Sequence, residues 1–301
     1  MRRRTFIRNS ALLAAAGLAR FQVKHSAPAL KLAYSTLGCP DWTYEQALAF
    51  AARHGYSGLE IRGIKRELNL SNCPEFRDAA SIRASLTKAR DAGIKIVDLG
   101  ASTALHMPAG AERTKALDEG YRFISLAQAL ECPFIRVFPN NLPKNQDKST
   151  TLGLIREGLQ QLSAFGKTAG VRVLMETHGD LVYANDLLSV MEPLKGENTG
   201  LVWDIVNMWS ITRETPADVY PKLKPFIYHI HAKDYRMEGE NMRYTLLGRG
   251  IAPILDALKI LHRDGFSGYY SFEWEKLWHP EIEAPELAIA DYAEVMRKAL
   301  V

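Results

Sequence analysis

Short apolar runs and longer amphipathic segments alternate along the chain from residue 30 to its end. The short runs have the length of buried strands, and the longer segments repeat their apolar positions with the period of a helix. The pattern predicts eight strands, at 30–35, 56–61, 94–99, 133–138, 171–176, 200–204, 226–231 and 269–273. It predicts helices that follow them, at 41–54, 74–92, 109–130, 149–169, 185–194, 215–223, 251–263 and 285–300.

Eight strand–helix units at nearly even spacing are typical of an α/β protein with a (β/α)8 TIM barrel. Gly93 and Gly170 stand where two predicted helices end, as C-terminal glycines do. No linker rich in Pro, Gly or Ser divides residues 28–301, so we expect a single domain. The polar segment 233–250 is expected to be a loop. A doubly wound open sheet is the alternative, but it would bring fewer strand ends to one point.

Residues 1–27 differ from the rest and are interpreted as a leader. Arg3-Arg4-Thr-Phe-Ile-Arg8 precedes an Ala-rich apolar run, residues 11–18, which is too short to span a bilayer as an ordinary helix. The segment resembles a twin-arginine export signal; the alternative is a basic N-terminus without a signal. Small residues near 17–19 or 26–27 offer cleavage sites. We therefore expect a partner in the twin-arginine machinery, a periplasmic location and no membrane contact of the mature form.

The composition is that of an ordinary soluble protein, with 301 residues, 47% hydrophobic and 24% charged. The net charge is only +4, and no basic patch interleaved with aromatic residues stands out. The charge therefore gives no indication of nucleic-acid binding. A homo-oligomer is compatible with this composition.

Four predicted strands end in a polar side chain that an apolar strand does not need: Glu176, Asp204, His231 and Glu273. A buried acid is costly unless it is paired or bound to a metal. In a (β/α)8 barrel these strand ends face one mouth, where active sites are built. Three carboxylates and one imidazole are mainly hard ligands, which favour Mn²⁺, with Co²⁺, Mg²⁺ and Zn²⁺ as alternatives. Without a metal, we expect mutual repulsion to raise the pKa values of the carboxylates.

Several motifs, in this order, resemble the xylose isomerase-like barrel superfamily and its sugar phosphate isomerase/epimerase branch. They are Gly58-Leu-Glu-Ile-Arg62, Glu176-Thr-His178, Asp204-Ile-Val-Asn207, His229-Ile-His-Ala-Lys-Asp234, Gly248-Arg-Gly250 and Ser271-Phe-Glu-Trp-Glu275. The resemblance implies a metal-dependent enzyme acting on a carbohydrate, with the four strand-end residues as ligands. It also implies that Glu176 and Glu273 transfer protons through an enediolate of a ketose. The expected export favours an unphosphorylated sugar.

Asn207 departs from the pattern, because many relatives have a histidine there. An amide can form hydrogen bonds but cannot shuttle a proton near neutral pH. An endonuclease IV-like nuclease needs a trinuclear zinc site with more histidines than this chain readily supplies, because two of its eight, His25 and His54, lie in the leader and a helix. An inosose dehydratase-like or keto-sugar lyase on the same metal site is the main alternative function, and a non-catalytic sugar-binding barrel is the third.

Further polar and aromatic residues at the predicted mouth are candidates for substrate binding. They are Glu60, His178, Asn207, Lys233, Arg236, Trp42 and His106. An ion pair of Glu60 with Arg62 or Arg136 is an equal alternative, and Lys233 could cap a loop instead. Trp203 and Trp274 adjoin candidate ligands and are expected in the core, whereas Trp42 and Trp278 lie in loops and could stack on a sugar.

Cys39 and Cys73 follow the first two predicted strands. An oxidising periplasm would permit a disulfide between them. Two unpaired thiols are the favoured interpretation, because such loops often diverge and folding would precede export. Cys132 is expected to be an inert buried thiol at the other end of the barrel.

The export signal can be tested by replacing Arg3 and Arg4 with lysine. If the twin-arginine machinery reads the pair, the folded protein should remain in the cytoplasm. Cell fractionation and immunoblotting measure the location, with Arg20→Lys in the same leader as the control. Continued export of the double-lysine protein would mean that another signal operates.

Overall fold

The computed structural model describes residues 30–301. The predicted leader, its arginine pair and its cleavage sites lie outside the described residues. The first described residue, Leu30, precedes the first strand and packs against the hydrophobic core.

Eight parallel strands close into a barrel. Each strand pairs with its neighbours in sequence, and the last pairs with the first through Leu32–Tyr270, Ala33–Ser271 and Tyr34–Phe272. The predicted TIM barrel is therefore confirmed. The barrel strands are β1 (Leu32–Ser35), β2 (Gly58–Ile61), β3 (Lys95–Ala104), β4 (Phe134–Phe138), β5 (Arg172–Glu176), β6 (Thr199–Asp204), β7 (Ile227–Ala232) and β10 (Tyr270–Phe272).

Helices pack around the outside of the barrel. Of those in the described part of the chain, none is both long and apolar enough to cross a membrane. The helices are α1 (Tyr44–Arg53), α2 (Ala79–Asp91), α3 (Ala111–Ala129), α4 (Lys148–Ala169), α5 (Ala184–Met191), α6 (Ile205–Thr212), α7 (Pro216–Leu223), α8 (Ile254–Arg263) and α9 (Pro285–Leu300).

Local sequence accounts for the helix boundaries. Thr43 caps α1 in a capping box with Gln46, so the backbone N–H groups of these two residues have side-chain acceptors. Gly170 ends α4 in the left-handed conformation that glycine adopts most easily. Each cap satisfies backbone groups that the helix itself leaves unpaired.

The hydrophobic core joins the strands to the surrounding helices. Trp203 and Trp274 are fully buried in it, as predicted. The Trp203 ring stacks on Tyr220 of α7, with 5.9 Å between centroids. The indole N–H of Trp274 donates to the Glu283 carbonyl. Both rings therefore support the strands that carry the acidic ends.

The prediction of a loop at 233–250 was wrong. Most of this segment forms an antiparallel hairpin of β8 (Asp234–Glu238) and β9 (Asn241–Thr245). Gly239, with φ of 65°, makes the tight turn. The residues of this ribbon alternate: Tyr235, Met237, Met242 and Tyr244 lie on one face, and polar or charged residues lie on the other. The many polar residues of the segment suggest a solvated loop, and they obscure this period-two pattern in the sequence.

Two further elements differ from the predicted ones. Strand β3 continues five residues beyond Leu99, to Ala104. Helix α6 was not predicted, and it begins directly after β6 because Asp204 caps it by accepting a hydrogen bond from the Asn207 N–H. An apolar run of eight residues does not by itself distinguish a helix from a loop or strand.

The three cysteines are unpaired and buried, which confirms the favoured interpretation. Burial raises the pKa of Cys73 to about 12. Burial raises the pKa of Cys132 well above its ordinary value as well. A thiol that stays protonated is a poor nucleophile, so these residues are structural.

Close packing of β6 against β7 should make Gly200→Ala destabilising. The added Cβ would lie 2.9 Å from the Phe226 carbonyl oxygen and against the Tyr228 ring. We expect a loss of about 1–3 kcal/mol, the usual cost of overpacking. Gly153→Ala in α4 is the control, because nothing lies within 4 Å of its added Cβ. It should gain up to about 1 kcal/mol from helix propensity. Urea unfolding midpoints measure both, and equal shifts would contradict the packing argument.

Candidate metal centre

The four predicted ligands come together at the carboxyl ends of their strands. Glu176 ends β5, Asp204 ends β6, His231 lies in β7 and Glu273 directly follows β10. All four side chains are buried, and each offers a ligand atom within 4.8 Å of the others. We call these four residues the quartet. The structure therefore produces the convergence that the strand ends led us to expect.

His231 faces the acids of the quartet through one ring nitrogen. Its Nδ1 lies 3.3 Å from Glu273 Oε1 and 3.6 Å from Glu176 Oε1. This buried Nδ1 has no hydrogen-bond partner among the described residues. Its other nitrogen, Nε2, lies 3.0 Å from Glu60 Oε2. Glu60 thus holds the ring through Nε2, and Nδ1 is left as a possible metal ligand on the side of the quartet.

Two cations hold the remaining oxygens of the quartet acids. Arg136 Nε lies 3.1 Å from Glu176 Oε2. Lys233 Nζ lies 2.6 Å from Glu273 Oε2 and 2.7 Å from Asp204 Oδ2. Oε1 of Glu176 and of Glu273 consequently face His231, while their Oε2 atoms are bound to fixed positive charges.

Lys233 also binds Glu275, whose Oε1 lies 2.6 Å from Nζ. The lysine side chain is only 2% exposed, so it is neither a solvated surface cation nor a simple loop cap. Glu275 was not among the predicted site residues. Its spacing from Glu273 could have revealed it, because residues two apart on an extended strand point to the same face.

Asn207 lies between two members of the quartet. Its backbone N–H donates to Asp204 Oδ1 at 2.8 Å, and its side-chain Nδ2 donates to Glu176 Oε1 at 3.3 Å. The residue is placed by the first turn of α6, which the sequence pattern did not predict. An amide at this position therefore orients the acids of the site.

The quartet fits a divalent ion. Carboxylate oxygens and an imidazole nitrogen suit Mn²⁺, Mg²⁺, Co²⁺ or Zn²⁺, and the unpartnered Nδ1 of His231 has no other role on this face. A second group, Glu60 with His229 and His231, does not fit as well. Both histidine Nε2 atoms converge on the same oxygen, Glu60 Oε2, so the contacts are hydrogen bonds.

The expected rise in carboxylate pKa holds for Asp204 and is wrong for the other two acids. Burial and the charges of Glu273 and Glu176 raise the pKa of Asp204 to about 7, although the charge of Lys233 acts to lower it. Burial would also raise the pKa of Glu273, but His231 and Lys233 outweigh it and the pKa is lowered. Arg136 and His231 likewise lower the pKa of Glu176. Repulsion between the carboxylates is therefore outweighed at Glu176 and Glu273 by the neighbouring cations Arg136, Lys233 and His231.

Glu60 lies inside the barrel, below the quartet. Its Oε2 accepts from Ser271 at 3.1 Å and lies 3.1 Å from His229 Nε2. The alternative interpretation, an ion pair of Glu60 with Arg62 or Arg136, does not hold in the described structure, because Arg136 binds Glu176 and Arg62 donates to the Gly100 carbonyl. Glu60 is completely buried and contacts His231 Nε2, the arrangement in which carboxylates orient metal-binding histidines.

The other predicted substrate contacts are spread around the mouth. His178 is half-buried against Phe138, with 4.6 Å between ring centroids. Arg236 is exposed on the hairpin and pairs with Glu238 at 2.7 Å, so an acid of its own strand neutralises it. Trp42 packs on Phe50 of α1, and His106 is partly exposed after β3. Trp278 is exposed. The described contacts join none of these residues to the quartet.

Sequence reasoning also missed Arg136 as a site residue. It is the only charged residue in the apolar strand Phe134-Ile-Arg-Val-Phe138. A single arginine inside such a strand requires a buried partner. That partner, Glu176, belongs to the next strand, and the pairing could be foreseen only once the barrel order is known.

The chain belongs to the xylose isomerase-like TIM barrel family, whose family model matches residues 48–299. The match includes the whole quartet. No curated protein sequence is significantly similar to the chain.

Solved structures with the same fold share little sequence with this chain. A D-psicose 3-epimerase from Clostridium cellulolyticum H10 is 16% identical with a TM-score of 0.70, over 90% of this chain and 99% of that one. The probable 3-DHS dehydratase AsbF from Bacillus anthracis is 17% identical with a TM-score of 0.73, over 89% and 99%. An IOLI protein with a bound zinc atom is 17% identical with a TM-score of 0.75, over 90% and 98%. At these identities the likeness establishes the fold.

Glu60→Gln should weaken metal binding without unfolding the barrel. The charge of Glu60 orients His231 and makes its ring nitrogen a better metal ligand. The amide removes this charge, and such losses typically cost about 10–100-fold in metal affinity. Competition with a metal-sensitive dye measures the Mn²⁺ affinity, and circular dichroism checks the fold. Glu197→Gln, an exposed change between α5 and β6, is the matched control. An Mn²⁺ affinity within about twofold of wild type would exclude an orienting role for Glu60.

Proposed function

We propose that this protein is a divalent-metal-dependent sugar isomerase or epimerase that transfers a proton on a ketose or related carbohydrate. The observation that carries the proposal is the arrangement of Glu176 and Glu273. Each has one oxygen bound to a cation and the other facing His231 Nδ1. Two buried carboxylates that face one point suit proton removal and proton return at a single carbon.

The residues divide into ligands and supports. Glu176, Asp204, His231 and Glu273 would hold the ion, which when bound supplies a Lewis acid that polarises a carbonyl oxygen. The mainly carboxylate ligand set favours Mn²⁺. The zinc atom named with the IOLI protein supports a divalent ion in a barrel of this kind.

Glu176 and Glu273 act as the general acid–base pair. Arg136 and Lys233 keep both groups ionised before the substrate arrives. One carboxylate then removes the proton next to the carbonyl. The other takes a proton from a substrate hydroxyl or from water and delivers it to the opposite face, and the first carboxylate releases its proton to water to complete the cycle. Epimerase names among the structural neighbours support proton transfer over other reactions on this fold.

Lys233, Asn207 and His178 are proposed to contact the sugar near the reacting carbon. Asn207 binds Glu176 through Nδ2, so its side-chain oxygen lies close to the ion site. The three N–H donors of Lys233 are bound to Asp204, Glu273 and Glu275, so Lys233 would contact the sugar by exchanging one of these bonds. We propose further that the mature protein works outside the cytoplasm after twin-arginine export.

The activity is tested by adding Mn²⁺ and free ketoses, keto-glycosides or inososes and following each mixture by NMR. New epimer or isomer peaks that vanish with a chelator would support the proposal. Loss of water from a substrate would assign a lyase activity instead. No change in any mixture, with Mn²⁺ bound, would count against catalysis on these substrate classes.

Glu273→Gln should separate proton transfer from metal binding. The amide oxygen still coordinates weakly, but the side chain cannot act as a base near neutral pH. We expect the fold and part of the Mn²⁺ affinity to remain, while turnover falls about 100-fold or more. Glu281→Gln, an exposed change in the nearby loop, is the control.

Asp204→Ala provides the contrasting variant, because it should lower Mn²⁺ binding and activity together. NMR assays give turnover and calorimetry gives the Mn²⁺ affinity. Turnover of Glu273→Gln near the wild-type value would eliminate Glu273 as a proton-transfer residue.

A further inference from the structure

Arg62 is a buried cation that has no carboxylate partner within the described range, residues 30–301. Four Lys or Arg side chains are buried in residues 30–301. Three of them have a carboxylate oxygen within 4.0 Å: Arg113 with Glu157, Arg136 with Glu176, and Lys233 with the acids of the site. Arg62 is the exception within this range. An unpaired buried charge is costly, so a partner supplied from outside the chain would stabilise it.

The position of Arg62 is next to the quartet. It directly follows β2, and it is two residues beyond Glu60, so the two side chains point to the same inner face. A Cβ added at Gly100 would lie 2.7 Å from Arg62 Cδ and 2.9 Å from Arg136 Nη2. The two arginines therefore lie side by side over Gly100, and only Arg136 has an acid, Glu176 of the quartet.

The present partners of Arg62 are neutral. Nη1 donates to the Gly100 carbonyl at 3.3 Å, and Nη2 donates to Ser102 Oγ at 3.0 Å. A guanidinium has five N–H donors, so these bonds leave part of its capacity unused. Burial, and then the charge of Arg136, lowers the pKa of Arg62 to about 10, and the group remains charged at neutral pH.

Glu119 does not fill the place of the missing anion. Its carboxylate accepts from the Ser102 N–H at 3.1 Å and from Thr103 Oγ1 at 3.3 Å. These bonds hold the Glu119 carboxylate against the backbone of Ser102, and the carboxylate lies beyond ion-pair distance from Arg62. The acid on α3 thus fixes the strand that carries Ser102.

We propose that Arg62 and Ser102 form an anion subsite for the substrate, binding a carboxylate or phosphate oxygen while the carbonyl end lies at the quartet. The inference rests on the proposed function and narrows its substrate to an acidic carbohydrate. A planar guanidinium binds such groups through two parallel hydrogen bonds. Gly100 is part of the subsite, because any side chain there would displace both arginines.

The first test compares a neutral ketose with two related ketoses that carry an anionic group. Isothermal calorimetry on the Mn²⁺-loaded protein would give the affinities of D-fructose, D-fructuronate and D-fructose 6-phosphate. We expect at least one anionic ligand to bind about tenfold more tightly than D-fructose, the usual value of a charged hydrogen bond. The tighter of the two identifies a carboxylate or a phosphate as the natural group. Equal affinity of all three would overturn the proposal.

The second test uses variants. Arg62→Met should abolish the preference for the anion and leave D-fructose binding nearly unchanged, because the neutral sugar does not need the charge. Arg90→Met, which removes an exposed arginine paired with Glu131 on the outside of the barrel, is the control and should keep the preference. If Arg62→Met does not fold, Arg62→Lys replaces it and should keep the charge but lose part of the preference. An unchanged preference in either variant would overturn the proposal.

The binding data also separate this inference from the proposed function, since they do not require turnover. Isomerisation of neutral ketoses without any anion preference would overturn the subsite and leave the proposed function intact. An anion preference that depends on Arg62, without any proton transfer, would support the subsite and contradict the proposed function.

Discussion

The balance of buried charge is the constraint on which the barrel mouth depends. Several acids lie together there in a region that excludes water, and they could not all remain ionised alone. Arg136 and Lys233 supply positive charge at fixed positions, on the oxygens of the acids that point away from His231. The same two cations stabilise the folded site and leave the inner oxygens available for a metal ion.

Period-two alternation arranges this site in layers. Each contributing strand presents every second residue toward the barrel interior. Along β7 and the residue after it, the series is His229 in the buried layer, His231 in the quartet and then the cation Lys233. Along β10 and the residues after it, the series is Ser271, which donates to Glu60, Glu273 in the quartet and then Glu275, which binds Lys233. The deepest layer holds Glu60 as a common acceptor, so the strands fix each other's orientation.

The charges of the mouth also bear on its chemistry. Cations that hold Glu176 and Glu273 ionised keep both ready to accept a proton, but they also weaken each carboxylate as a base. A bound substrate with an anionic group would add negative charge beside Arg136 and Arg62. The site would then discriminate between substrates by charge at one end and by metal coordination at the other.

The sequence alone determined the barrel and the quartet. Strands, helices and polar strand ends are local patterns, and the geometry of a closed parallel barrel carries four such ends to one mouth. The tertiary structure decided the partners of these residues. Arg136 contacts Glu176 and Glu60 contacts His231 across long chain separations, whereas Arg62 contacts no acid among residues 30–301. Which side chains pair depends on strand register and on how each side chain packs, and neither is encoded in a short stretch of residues.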